Sequence, residues 1–148
     1  MDALNVKIKR LSPKAILPTY QTENSAGMDI YACLNESITL KPMQRAIIPS
    51  GVSIELPAGY ESRIHSRSGL TYRDGICMAN GTGIIDGDYR GEYGILLHNI
   101  SDKDFVIENG MRIAQLVVSK YEHVIWQEVE ELSETERGVG GFGSTGVK

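Results

Sequence analysis

No stretch of this chain carries a ten-residue helical stripe; what recurs is the short period-two run closed by glycine or proline. Leu4, Val6 and Ile8 alternate with Asn5, Lys7 and Lys9, and Val52, Ile54 and Leu56 alternate with Ser53 and Glu55. Phe105 and Ile107 flank Val106, and further short runs appear at Ala46–Ile48, Tyr93–Leu97, Ile113–Val118 and His123–Val129. Successive side chains of a strand point to opposite faces, so runs of this kind read as strands. Breaks at Pro42, Pro49–Gly51, Pro57–Gly59, Asp74–Gly75, Asp86–Gly87 and Asn109–Gly110 keep each run short. Many short strands at regular intervals predict an all-β fold, a distorted barrel or jelly roll. One short helix is expected over Gly69–Arg73, with Ser68 as its cap. Trp126 is expected in the core.

A chain of 148 residues is long enough for one domain with its own core. Residues 1–132 are expected to form that domain. Residues 133–148 form a flexible arm, because Ser133-Glu134-Thr135-Glu136 has the composition of a tether and five of the ten positions 137–146 are glycine. The net charge of −4 argues against a protein that grips a nucleic-acid backbone. The apolar runs are too short to span a membrane, and the N-terminus alternates like a strand where a signal peptide would be apolar. A cytoplasmic protein is therefore expected, or a nuclear one for a eukaryotic or viral source. Cys33 and Cys77 lack the spacing of a zinc site and are expected to be buried free thiols.

Five segments carry groups that could do chemistry. The arm holds Arg137, Phe142, Gly143, Ser144 and Thr145, which combine a guanidinium fork, a flat apolar face, and hydroxyls with glycine amides able to ring an anion. Its Gly138-x-Gly140-x-x-Gly143 spacing would mark a dinucleotide fold only between a strand and a helix, and too few residues follow it. The segment Asn80–Glu92 reads as a hairpin turning near Gly87. A plain Asp-Gly turn explains it, but Asp86 also stands beside apolar Ile85 with Tyr89 three residues on, where a carboxylate could act as a base toward water. Arg67-Ser68-Gly69 reads as a surface charge and a cap, or as a phosphate clamp. In Gly110-Met111-Arg112-Ile113-Ala114-Gln115, the polar Arg112 and Gln115 interrupt an apolar strand. In Ser25-Ala26-Gly27-Met28-Asp29-Ile30, a small-residue turn enters a strand and carries Asp29. His65, His98 and His123 share no ligand spacing.

Taken in this order, the five segments resemble the five motifs of the homotrimeric dUTP pyrophosphatase (dUTPase) family. Any one of them is weak, but five in order across residues 26–146 are specific. The resemblance implies a β-clip protomer, a homotrimer with active sites at subunit interfaces, and Mg2+-dependent hydrolysis of dUTP to dUMP and pyrophosphate. That reaction limits uracil incorporation into DNA and supplies dUMP for dTMP synthesis.

By the same resemblance, Asp86 would activate the water that attacks the α-phosphorus. Backbone groups near Asn80, Gly83 and Gly94 would read uracil, with Ile84 and Ile85 also touching the substrate. Tyr89 would pack on deoxyribose and exclude a 2′-hydroxyl. Arg67, Ser68, Gly69 and Gln115 would hold phosphates. From the arm, Phe142 would cover uracil, while Arg137, Gly143, Ser144 and Thr145 close on the terminal phosphates. Magnesium would be held mainly through substrate phosphates and water, with Asp29 in its outer shell. Two positions depart from the family pattern. Ser66 stands where a proline commonly precedes Arg-Ser-Gly, and Asn80-Gly81-Thr82-Gly83 lacks a proline before its last glycine. Both changes are expected to loosen backbone without removing a functional group. The related alternative on the same fold is dCTP deaminase, and the alternative of another class is a non-catalytic β-barrel interaction module.

Overall fold

The computed structural model describes residues 3–144 and 146. Eleven strands and one helix follow one another as β1 (Lys7–Arg10), β2 (Met28–Tyr31), β3 (Ile38–Leu40), β4 (Arg45–Pro49), β5 (Val52–Glu55), β6 (Tyr60–His65), α1 (Ser68–Asp74), β7 (Ile76–Met78), β8 (Thr82–Ile85), β9 (Gly94–Asn99), β10 (Phe105–Ile107) and β11 (Arg112–Lys120). They pair antiparallel in four small sheets, ordered β1-β5, β10-β3, β2-β11-β6-β8 and β4-β9-β7. This is the all-β, jelly-roll-like architecture that the alternation predicts.

The sheets close around one core that includes Ile30, Ile48, Ile64, Ile95, Leu97, Ile107 and Leu116. Branched aliphatic residues suit this role because they pack well on a pleated surface. Strand β11 holds the largest sheet together, pairing with β2 on one side and β6 on the other. Its register slips between Arg112 and Ala114 opposite Tyr31 and Ile30. The bulge lets two successive residues, Ile113 and Ala114, both be buried, and leaves Arg112 and Gln115 exposed three positions apart. A polar residue at each end of an apolar pair is thus a product of the bulge.

The helix spans Ser68–Asp74, one residue longer at each end than expected, and Arg67 takes the cap position. Ser68 is therefore not the cap. Arg67 has extended backbone angles there and makes no side-chain cap bond. The helix ends on Gly75, whose left-handed φ of 67° lets its N–H reach Leu70 and Thr71 carbonyls.

Four further expectations are corrected. The Asp86–Arg90 turn exists, with Tyr89 N–H donating to the Asp86 carbonyl at 3.2 Å. Its flanking strands do not form a hairpin, however: β8 pairs with β6, while β9 pairs with β4 and β7. The segment His123–Val129 forms no strand, and Trp126 is 88% exposed, because no strand among the described residues pairs with that apolar run. Strand β1 starts only at Lys7 and leaves even Ile8 exposed. Cys33 and Cys77 are free, but each is half-buried.

Candidate active site

The first group of site residues gathers where β2, β11 and the start of α1 meet. Asp29 lies directly opposite Gln115 in the β2–β11 ladder, and Gln115 lies opposite His65 at the end of β6. Arg67 leaves β6 just beyond that point. Its Nε donates to Asp29 Oδ1 at 2.9 Å and its Nη1 to the Arg112 carbonyl at 3.2 Å. Arg112 Nη1 donates to the other Asp29 oxygen at 3.1 Å. One buried carboxylate, 4% exposed, thus aligns two guanidinium groups that remain 24% and 44% exposed. The trio carries a net positive charge facing outward, beside exposed Ser68, Gly69 and Gln115. That arrangement suits a polyphosphate: the anion meets pre-oriented donors, and a buried acid keeps the arginines from repelling each other.

Asp29→Asn is expected to break this alignment, since a carboxamide offers one acceptor oxygen where two arginines need two. The cost in stability is about 1–3 kcal/mol, read by thermal unfolding. Substrate affinity falls with it, read by titration with a phosphorylated ligand.

The second group lies along β8 and the turn after it. Gly83 lies beside Ile64, Met78 and the Asn80 amide, all within ordinary contact distance of its α-carbon substituents. Ile84, Ile85, Asp86, Tyr89, Glu92, Tyr93 and Gly94 line a cavity of about 220 Å³. Asp86 and Gly87 also border a larger cavity of about 690 Å³ on the side of Tyr60, Arg63 and His123.

The turn is tied down on all sides. Ser53 Oγ donates to the Arg90 carbonyl at 2.6 Å, and Tyr93 N–H donates to the Val52 carbonyl at 2.9 Å. Gly51 N–H donates to Glu92 Oε1 at 2.7 Å, and Arg90 Nη1 to the Gly87 carbonyl at 2.7 Å. Tyr89 Oη donates to the Glu92 carbonyl at 3.0 Å, and its ring lies over Gly91, where any Cβ would run into it. Buried Tyr93 closes the cavity floor, its hydroxyl 2.9 Å from Ser62 Oγ. Burial pushes that phenol above its ordinary value of 10.0, with the Ser62 bond pulling the other way. Against this fixed frame the Asp86 carboxylate is exposed and has no hydrogen-bond or ion-pair partner among the described residues. A carboxylate held by its backbone and left free at its oxygens is suited to take a proton from water.

The two groups do not meet within one chain. In the β6–β8 ladder Ile85 lies opposite Ser62 and Thr82 opposite His65. Asp86 therefore leaves one end of the ladder and Arg67 the other, roughly 20 Å apart at the usual strand rise. Among the described residues the arm joins neither group. Residues 120–139 are all exposed, and the described part of the arm bonds locally, such as Arg137 Nε to the Gly140 carbonyl at 2.8 Å. Phe142 is fully exposed and has a positive φ of 49°. Gly143 and Ser144 follow it in a turn, while Thr145 lies outside the described residues.

Arg112, Glu92 and Tyr93 had no assigned role in the sequence. The first two fell within quoted motifs, and only their ladder positions reveal what they hold. Among the described residues no three His, Cys, Asp or Glu side chains come together to hold a metal ion. Nor, among the described residues, is any helix long and apolar enough to cross a membrane.

Comparison with known proteins identifies the family. A family model described as dUTPase matches residues 13–146. The deoxyuridine 5'-triphosphate nucleotidohydrolase of Rickettsia prowazekii (strain Madrid E) is 52% identical over 148 residues, covering 99% of this chain and 100% of that one. A mutant dUTPase of Staphylococcus bacteriophage 80alpha, solved with dUpNHpp, has a TM-score of 0.89 at 31% identity, covering 98% of this chain and 100% of its own. A mutant dUTPase from phage phi11 of S. aureus, described with a coordinated structural Mg(II) ion, has a TM-score of 0.80 at 25% identity, covering 88% of this chain and 100% of its own. With sequence similarity running almost from end to end and the fold shared with solved dUTPases, this chain belongs to the dUTPase family.

Proposed function

We propose that the chain hydrolyses dUTP to dUMP and pyrophosphate by in-line attack of water on the α-phosphorus. The observation that carries this reading is the free Asp86 carboxylate on a pinned turn at the mouth of a cavity walled by Tyr89. Uracil enters along β8, where backbone groups near Asn80, Gly83 and Gly94 meet its N3–H and O4, and Ile84 and Ile85 flank it. Tyr89 packs against the sugar. Asp86 takes the proton from the attacking water as the new P–O bond forms and the bond to the bridging oxygen breaks, releasing pyrophosphate. Arg67, Ser68, Gly69 and Gln115 hold the phosphates, and Asp29 keeps Arg67 aimed. From the arm, Phe142 covers the base, and Arg137, Gly143, Ser144 and Thr145 close on the terminal phosphates. The product supplies dUMP for dTMP synthesis, and removal of dUTP keeps uracil out of DNA.

A divalent ion fits these residues in one way. Among the described residues no three acidic, His or Cys side chains form a cage, so its ligands are phosphate oxygens and water, the usual setting of Mg2+. Both Asp29 oxygens already accept from arginines, so Asp29 fits contact through a metal-bound water better than direct ligation. When bound, Mg2+ neutralises developing phosphate charge that a protein of net charge −4 could not.

The working assembly is a homotrimer. Two features support it. Asp86 and Arg67 sit at opposite ends of one ladder, so a single triphosphate reaches both groups only if they come from different copies. The run containing Val124, Ile125, Trp126 and Leu132 is exposed at 65–94%, a stretch of apolar surface that a neighbouring copy would cover.

The test is pyrophosphate release from dUTP, with dCTP, dTTP and UTP as controls. Release from dUTP alone supports the reading, whereas ammonia from dCTP or no release at all overturns it. Tyr89→Ala is expected to relax sugar selection, so that UTP competes at least about tenfold better by initial rates. Unchanged selectivity would remove Tyr89 from the sugar gate.

A further inference from the structure

We infer that Ser66, at the position where the family pattern commonly has proline, is a positioning residue that locks the phosphate-binding turn to the base-binding segment through one side-chain hydrogen bond. The inference rests on the dUTP-hydrolase reading above.

Ser66 stands between the last residue of β6 and Arg67, the start of the phosphate turn. Its Oγ accepts the Met78 N–H at 2.8 Å in a half-buried setting. Met78 ends β7, an edge strand paired only with β9. The next amide, Ala79 N–H, donates back to the Leu96 carbonyl of β9 at 2.9 Å. Successive amides of a strand point to opposite sides, so Met78 N–H faces away from β9, where no ladder partner exists. Ser66 supplies that partner. It thereby joins the three-stranded sheet to the exit of β6 in the four-stranded sheet.

The same Met78 residue carries the other half of the link. Its carbonyl accepts Gly81 N–H at 3.2 Å, which closes the turn that leads into β8. The Met78 backbone thus holds the Asn80–Gly83 segment with its carbonyl and the Arg67 turn with its amide. A proline at 66 would stiffen the turn by fixing its own φ and restricting His65. Serine reaches a similar end by a different route, tethering the turn to a neighbouring strand. The bond does not loosen the site, as the missing ring alone would suggest. It replaces one restraint with another.

The experiment compares Ser66→Ala, which removes the acceptor, with Ser66→Thr, which keeps it. Three readouts are taken on the full chain: steady-state kinetics on dUTP, affinity for deoxyuridine, and hydrogen exchange at the Met78 amide. The expected result for Ser66→Ala is a KM for dUTP raised about tenfold, nearly unchanged deoxyuridine affinity, and fast exchange at Met78. Ser66→Thr restores all three. Unchanged KM in a folded Ser66→Ala overturns the inference, as does a threonine variant as impaired as alanine. Parallel loss of deoxyuridine affinity does so too, because it would mean a merely structural role. If Ser66→Ala does not fold, slow Met78 exchange in both wild type and Ser66→Thr supports the tether, and fast exchange in either overturns it. Wild type that releases no pyrophosphate from dUTP would overturn the functional reading instead, and the exchange readout keeps the two failures apart.

Discussion

Asp86→Asn will bind substrate nearly as well as the parent chain and lose turnover by roughly 10²–10⁴, the usual contribution of a positioned general base. The substitution keeps the shape of the side chain and removes only its ability to accept a proton. Nothing in the fold depends on the charge, because the carboxylate has no partner among the described residues and the turn is held by Ser53, Arg90, Glu92 and Tyr93. Thermal stability should therefore stay within about 0.5 kcal/mol, as for a surface change away from structural contacts. The check is a pair of measurements on one preparation, kcat with dUTP and affinity for a non-hydrolysable dUTP analogue. Near-normal kcat would remove Asp86 as the base. Lost affinity with lost turnover would make it a binding group.

Removal of residues 137–148 will leave the fold intact and lower hydrolysis by about 10²–10³-fold, the scale of losing donors that stabilise transition-state charge. Among its described residues the hydrogen bonds are local turns, as from Gly140 N–H to the Arg137 carbonyl at 3.0 Å, and none belongs to the core. Its loss therefore takes nothing from the barrel. What it takes is the guanidinium of Arg137, the ring of Phe142 and the hydroxyl of Ser144, which on this account reach the substrate only when it is bound. Circular dichroism and gel filtration check that the truncated chain folds and assembles, and the pyrophosphate assay checks the rate. Full activity of the truncated chain would end the lid role.

Much of the fold is legible in the alternation because each face of these strands has one environment. Val52 and Ile54 in β5, and Ile95 and Leu97 in β9, stand where period two places them, facing the core. The alternation fails where a strand does not have such a face within the chain. His123–Val129 looks like a strand and pairs with no strand among the described residues, so Trp126 ends up in solvent. Strand β11 departs from alternation for a different reason, a bulge that buries Ile113 and Ala114 together.

The site is legible in its residue types and not in its connections. Asp86, Tyr89, Arg67 and Asp29 can be picked out from motifs, because their chemistry is written in their side chains. That Asp29 holds both Arg67 and Arg112 depends on a pairing 83 residues apart in sequence, which no local pattern records. The turn at Gly87 is correctly placed, but the partners of β8 and β9 are not, since an Asp-Gly turn specifies a reversal and not which strands will pair. Ser66 is the sharpest case. Read alone it is a lost proline, and only its contact with Met78 turns it into a restraint.

The reaction proposed for this chain rests on water attacking the α-phosphorus of dUTP, and hydrolysis in oxygen-18-labelled water tests that attack most directly. The expected result is one labelled oxygen in dUMP and none in pyrophosphate, read by mass spectrometry of both products. Label in pyrophosphate, with dUMP unlabelled, would contradict it.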